Sequence, residues 1–117
     1  MGHVSGIGGL FIRSQNHQAL AAWYKQHFGI GNGAVGEIWT QEAGPSVFAP
    51  FKEDSTYFRG DKRFMLNLRV TNMSAQIAEL ETAGIAVKKV DDETYGKFAH
   101  LEDPDGNPIE LWQPLPE

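Results

Sequence analysis

Apolar positions along the chain fall into two similar series. Residues 7–13 form a short, mostly apolar, β-compatible run, and after Asn16 apolar side chains recur at Leu20, Trp23, Tyr24 and Phe28. That spacing lays one apolar stripe along a helix, with Asn16 as its N-cap and Gly29 as a left-handed terminator. The order then repeats. Residues 64–70 read as a strand, Asn72 as a cap, Met73, Ile77 and Leu80 as the stripe of a second helix, and Gly84-Ile85 as its end. Aligning Asn16 on Asn72 superposes Leu10 and Ile12 on Leu66 and Leu68, and brings Gly29-Ile30 within one residue of Gly84-Ile85. Further strands are predicted at 37–41 and 46–50 after the first helix, and at 86–90, 98–102 and 108–112 after the second. The intervening loop, 51–60, is polar but carries Phe51, Tyr57 and Phe58, which need burial, and the seam between the halves falls near Gly60. The expectation is one α+β domain over 1–117, with halves 1–60 and 61–117, each a strand, a capped helix and further strands.

One turn fixes a register. Asp103-Pro104-Asp105-Gly106 suits a type I turn followed by a left-handed glycine, so the flanking strands must pair. Stepping outward from Asp103 opposite Asn107 sets Glu102 against Pro108, Leu101 against Ile109, His100 against Glu110, Ala99 against Leu111 and Phe98 against Trp112. Ala99, Leu101, Ile109 and Leu111 then share one apolar face, and His100 and Glu110 the other. His100 and Glu110 form a non-hydrogen-bonded pair, with Cα atoms about 4.5 Å apart and side chains adjacent. A carboxylate there orients the imidazole and fixes its tautomer, as an acid/base or ligand-orienting pair requires. A purely structural cross-strand ion pair is the other reading of the same two residues.

Composition narrows the function classes. Hydrophobic content of 41% with 21% charged residues, 7 Phe, 3 Trp and 3 Tyr, is that of a folded domain. The absence of cysteine excludes disulfides, thiolate ligands and a thiol nucleophile. No apolar run approaches the ~20 residues of a membrane span and the first residues lack a secretion-signal pattern, so a cytoplasmic protein with no membrane partner is expected. The net charge of −5, without a Lys/Arg cluster, lacks the footprint of nucleic-acid binding. Residues 31–36 match G-x-G-x-x-G, but a helix precedes them and none follows, which is the wrong context for a dinucleotide. Asn72-Met73-Ser74 fits a glycosylation sequon, yet Asn72 is accounted for as a helix cap.

Residues 95–112, Tyr-Gly-Lys-Phe-Ala-His-Leu-Glu-Asp-Pro-Asp-Gly-Asn-Pro-Ile-Glu-Leu-Trp, resemble the closing hairpin of the glyoxalase/bleomycin-resistance/dioxygenase superfamily, the vicinal oxygen chelate fold. Leu20-Ala21-Ala22-Trp23-Tyr24 through Phe28-Gly29-Ile30 resembles that family's first helix, and Leu68-Arg69-Val70-Thr71-Asn72 the entry to its second module. The resemblance implies two βαβββ-type modules forming one incomplete barrel around a pocket, with the first module shortened, and it implies a homodimer. Metal-dependent members carry a ligand on the first strand of each module and a Glu on the last. The matching first-strand positions here are Gly9 and Met65, neither a hard donor, and only Glu110 matches the Glu. No cofactor is therefore expected. A divalent metal through Glu110, with His100 and with His3 or Glu37 brought in by folding, is the alternative.

Strand parity fills out the expected pocket. Leu66, Leu68 and Val70 point to the helix side, which turns Met65, Asn67 and Arg69 inward with His100, Glu110 and Trp112. In the first half Phe11 faces inward, and Trp39 and Phe48 are candidate walls. An aromatic cavity with a few polar groups suits a small organic ligand, although the same aromatics could close a solid core. Three functions are compatible with this pattern: a metal-independent small-molecule-binding protein like the bleomycin-resistance branch; an enzyme of lyase, isomerase or dioxygenase type using Glu110 with His100 in an atypical metal or acid/base site; or an accessory module with a closed pocket.

Overall fold

Two asparagines start the two helices. The Asn16 side chain accepts from the Ala19 amide at 3.2 Å and opens α1 (His17–Phe28), which ends at Gly29 with φ 69°. The Asn72 side chain accepts from the Ala75 amide at 3.2 Å and opens α2 (Met73–Thr82). These side chains supply acceptors to amides that the first helical turn leaves unpaired. The structure, a computed structural model, describes residues 1–33, 36, 38–90 and 94–116. The chain forms two units, Met1–Ile38 and Trp39–Glu117.

In the first unit, α1 buries Leu20 and Tyr24. Trp23 meets Tyr24 and Phe28 edge-on, with ring centroids 5.0 and 5.5 Å apart. The second unit holds a four-stranded sheet in the order β1 (Leu66–Arg69), β4 (Pro108–Pro114), β3 (Gly96–Glu102), β2 (Lys88–Val90). β4 runs parallel to β1 and antiparallel to β3, and β3 antiparallel to β2. The hairpin register is the one the turn dictates, from Glu102 opposite Pro108 to Phe98 opposite Trp112. The turn closes with the Asp103 amide on the Asn107 carbonyl at 3.1 Å and the Gly106 amide on the Asp103 carbonyl at 2.9 Å, Gly106 taking φ 80°.

Helix α2 lies on one face of this sheet. Met73, Ile77 and Leu80 from the helix and Ala99, Leu101, Ile109 and Leu111 from β3 and β4 are all buried and make the core. Complete burial of an aliphatic side chain such as Leu80, Ile109 or Leu111 stabilises by about 1.5–3 kcal/mol each. That alternation leaves the other face of the sheet free to carry polar groups.

The first half departs from expectation. No strand forms at 7–13, 38–41 or 46–50; Glu37, at the start of one expected strand, lies outside the described residues. A strand exists only through a ladder partner, and among the described residues these segments have none. Ile7, Phe11 and Phe48 are accordingly 64%, 96% and 84% exposed, and Pro45 and Pro50 each lack an amide donor at the ends of the third segment. The sheet of the second unit remains open, with β1 and β2 as its edges, rather than curling into a barrel.

Candidate functional site

The face of the sheet opposite α2 is ordered in three rows by the strand register. Nearest the turn stand Glu102 and Pro108, with Met65 just before β1; in the middle His100, Glu110 and Asn67; and beyond them Phe98, Trp112 and Arg69. The middle row is the chemical centre. Glu110, only 6% exposed, accepts from Asn67 Nδ2 on Oε1 at 2.8 Å. Its Oε2 lies 2.7 Å from His100 Nε2 and accepts from the Tyr57 hydroxyl at 2.5 Å. An ionised carboxylate only accepts, so Nε2 carries the proton that bridges it. Three donors from three segments thus offset the cost of burying this charge.

Tyr57 is the residue that strand parity does not reveal. Its loop is held at two further points. Phe51 packs against Tyr57 and Phe58, with centroids 5.5 and 5.7 Å apart. Arg59 grips Asp61 through Nε at 2.7 Å and Nη2 at 2.8 Å, and reaches Glu102 Oε1 at 3.2 Å and the Gly106 carbonyl at 3.0 Å through Nη1. The bidentate bond to Arg59 holds the Asp61 carboxyl below its ordinary value, and Asp61 raises the Arg59 guanidinium in return. Beneath residues 57–59 lies a half-open cavity of about 260 Å³, bordered by Tyr57, Phe58, Met65, His100 and Pro108, with Arg59 and Glu102 at its charged rim.

The other expected site residues divide. Asn67 and Met65 belong to the middle row and the cavity. Trp112 lies parallel to Phe98 at 6.3 Å between centroids, and its Nε1 donates to the Tyr95 carbonyl at 3.0 Å. Arg69 shares the face, but its guanidinium donates to the Pro45 and Glu42 carbonyls at 2.6 and 2.7 Å, so it ties a loop to the sheet. Trp39 and Phe48 are exposed, and Phe11 lies in the first unit, also exposed.

A metal would find a poor donor set. Gly9 has no side chain and Met65 offers a thioether, while both oxygens of Glu110 are engaged by organic donors. Among the described residues no group of three or more His, Asp or Glu could hold a metal ion. His3 is exposed in the first unit, and Glu37 lies outside the described residues. The residues do not fit the family's metal.

Comparison with known proteins agrees with the resemblance read from the hairpin. The family profile of the glyoxalase-like domain matches residues 9–112. No curated protein matches the chain. Among solved structures, TnmS3, an antibiotic binding protein from Streptomyces sp. CB03234, is similar in fold, with a TM-score of 0.63 and 24% identity over 98% of this chain and 100% of that one. A glyoxalase/bleomycin resistance protein from Streptomyces sp. CB03234 is 40% identical over 41% of this chain and 42% of its own length, with a TM-score of 0.38. The chain belongs to the glyoxalase-like domain family of the vicinal oxygen chelate superfamily.

Proposed function

We propose that this chain binds a small organic molecule on the sheet face that carries His100, Glu110 and Asn67, without a catalytic metal. The observation that carries this reading is the state of Glu110. The carboxylate at the position where metal-dependent relatives hold an ion is engaged at both oxygens by Tyr57, Asn67 and His100, so the site is built from hydrogen-bonding groups and flanking aromatics. The likeness in fold to an antibiotic binding protein supports a small-molecule ligand. The family match over residues 9–112 supports reading the two halves as modules of one fold. The test is a titration with a panel of aromatic natural products, monitored through the fluorescence of the three tryptophans, together with elemental analysis of protein purified without chelators. Binding that Glu110→Ala weakens at least about tenfold is expected. A stoichiometric transition metal that Glu110→Ala abolishes would overturn the metal-free reading.

A second reading rests on the 2.7 Å contact between His100 and Glu110, the arrangement of an acid/base imidazole and its orienting carboxylate. Under it the same face catalyses proton transfer on the bound molecule. Its test is conversion of any ligand found above: turnover lost in His100→Gln with ligand affinity retained supports catalysis, and an unchanged ligand leaves binding alone.

A further inference from the structure

The cavity beneath residues 57–59 constrains the chemistry of a small molecule bound on this face, an inference that rests on the binding proposed above. His100 borders the cavity, and its Nε2 is committed to Glu110. Among the described residues no other hydrogen bond is made by the imidazole. With the proton on Nε2, the nitrogen left for an incoming molecule is Nδ1, which in the neutral ring is an acceptor. The visitor must therefore bring a donor.

Charge points the same way. The cation at the cavity rim is Arg59, whose guanidinium already serves Asp61, Glu102 and the Gly106 carbonyl. Glu110 and Glu102 add negative charge beside His100, and Lys88, the cation opposite His100 on β2, is exposed to solvent. Among the described residues no uncommitted cation lines the cavity to hold a carboxylate or phosphate. The remaining border is formed by Phe58, Met65, Leu101, Pro108, Ile109 and the Tyr57 ring.

Size sets the last limit. A cavity of about 150 Å³ accepts benzene, whereas drug-sized ligands occupy about 300–1,000 Å³. At about 260 Å³ and half-open, this one encloses a single ring and leaves the rest of any larger molecule outside. We infer that the cavity under residues 57–59 receives one neutral ring bearing an O–H or N–H donor, either free or as the end of a larger molecule, and that the donor is accepted by His100 Nδ1.

The probe is phenol, added at about pH 8 to wild-type protein labelled with nitrogen-15. The readout is the His100 ring nitrogens by NMR. Saturable binding that moves Nδ1, with anisole, the same ring without the donor, and benzoate, the anion, each at least about tenfold weaker, supports the inference. Equal binding of phenol and anisole, preferred binding of benzoate, or phenol signals on Phe98 and Trp112 with Nδ1 unmoved overturns it while leaving ligand binding on this face intact. An absence of phenol binding also overturns it, and whether the broader reading falls too is decided by the natural-product titration.

Discussion

Glu110 shows how much one buried carboxylate can organise. Tyr57→Phe keeps the ring and removes one donor from a charged acceptor, which should cost about 1–2 kcal/mol in urea unfolding. Glu110→Gln should cost more, about 1–3 kcal/mol, because an amide cannot accept all three donors and turns an N–H₂ toward one of them. If Glu110→Gln were neutral, the three bonds would not exist in solution. Asp103 does comparable work at the turn, where its side chain accepts from the Asp105 and Asn107 amides at 2.9 Å and from Asn107 Nδ2 at 2.8 Å. Asp103→Ala should lower the urea midpoint by the equivalent of about 1–3 kcal/mol. His100, Glu110 and Asn67 were legible in the sequence because strand parity and one turn type decide which side chains share a face. Tyr57 and Arg59 were not, because an irregular loop has no period; the only hint was the aromatics in a polar stretch, and the burial expected of them is not met, since Phe51 and Tyr57 stay 45% and 43% exposed.

Among the elements, those announced by a local device formed as read. The two Asn caps, the glycine after α1 and the Asp-Pro-Asp-Gly turn each act within a few residues, so they are visible in sequence and robust in structure. The strands expected in the first half rested on β-compatible composition and on the repeat that aligns Asn16 with Asn72, and neither reveals whether a partner strand exists. The start of β3 depends on Gly96, buried at φ 131°, where an added Cβ would overlap the Gln113 carbonyl oxygen of β4. Neither strand can yield without breaking the ladder, so Gly96→Ala should destabilise by more than about 3 kcal/mol, measured by thermal unfolding. The loop over the cavity has its own acid limit. Asp61 titrates below its ordinary value of 3.8 because Arg59 bonds its ionised form. That contribution is present at pH values above 3.8 and fades as the pH falls through the lowered value. The Arg59 Nε–H resonance should report one titration step with its midpoint below 3.8, and Asp61→Asn should abolish that step.

For the whole molecule, the second unit supplies a sheet with one face spent on α2 and the other on the candidate site, a division set by the hairpin register of β3 and β4. The apolar side chains of Val4, Ile7 and Phe11 remain exposed in the first unit. The family resemblance implies a homodimer, and light scattering at micromolar concentration should return twice the 13.0 kDa of one chain; a single-chain mass would remove that expectation.

The strand order carries a consequence for kinetics. β3 and β4 are joined by a tight turn, whereas β1 reaches β4 across 43 residues, the separation of Asn67 from Glu110. Closing the longer loop costs more chain entropy, so the hairpin and α2 should assemble first and β1 should dock after the rate-limiting barrier. Leu66→Ala should then hasten unfolding and leave the refolding rate nearly unchanged, while Ile109→Val should slow refolding. Asn67 arrives with β1, and Tyr57 closes a still longer loop of 53 residues, so Glu110 gains both donors late and the binding face is completed no earlier than the docking of β1.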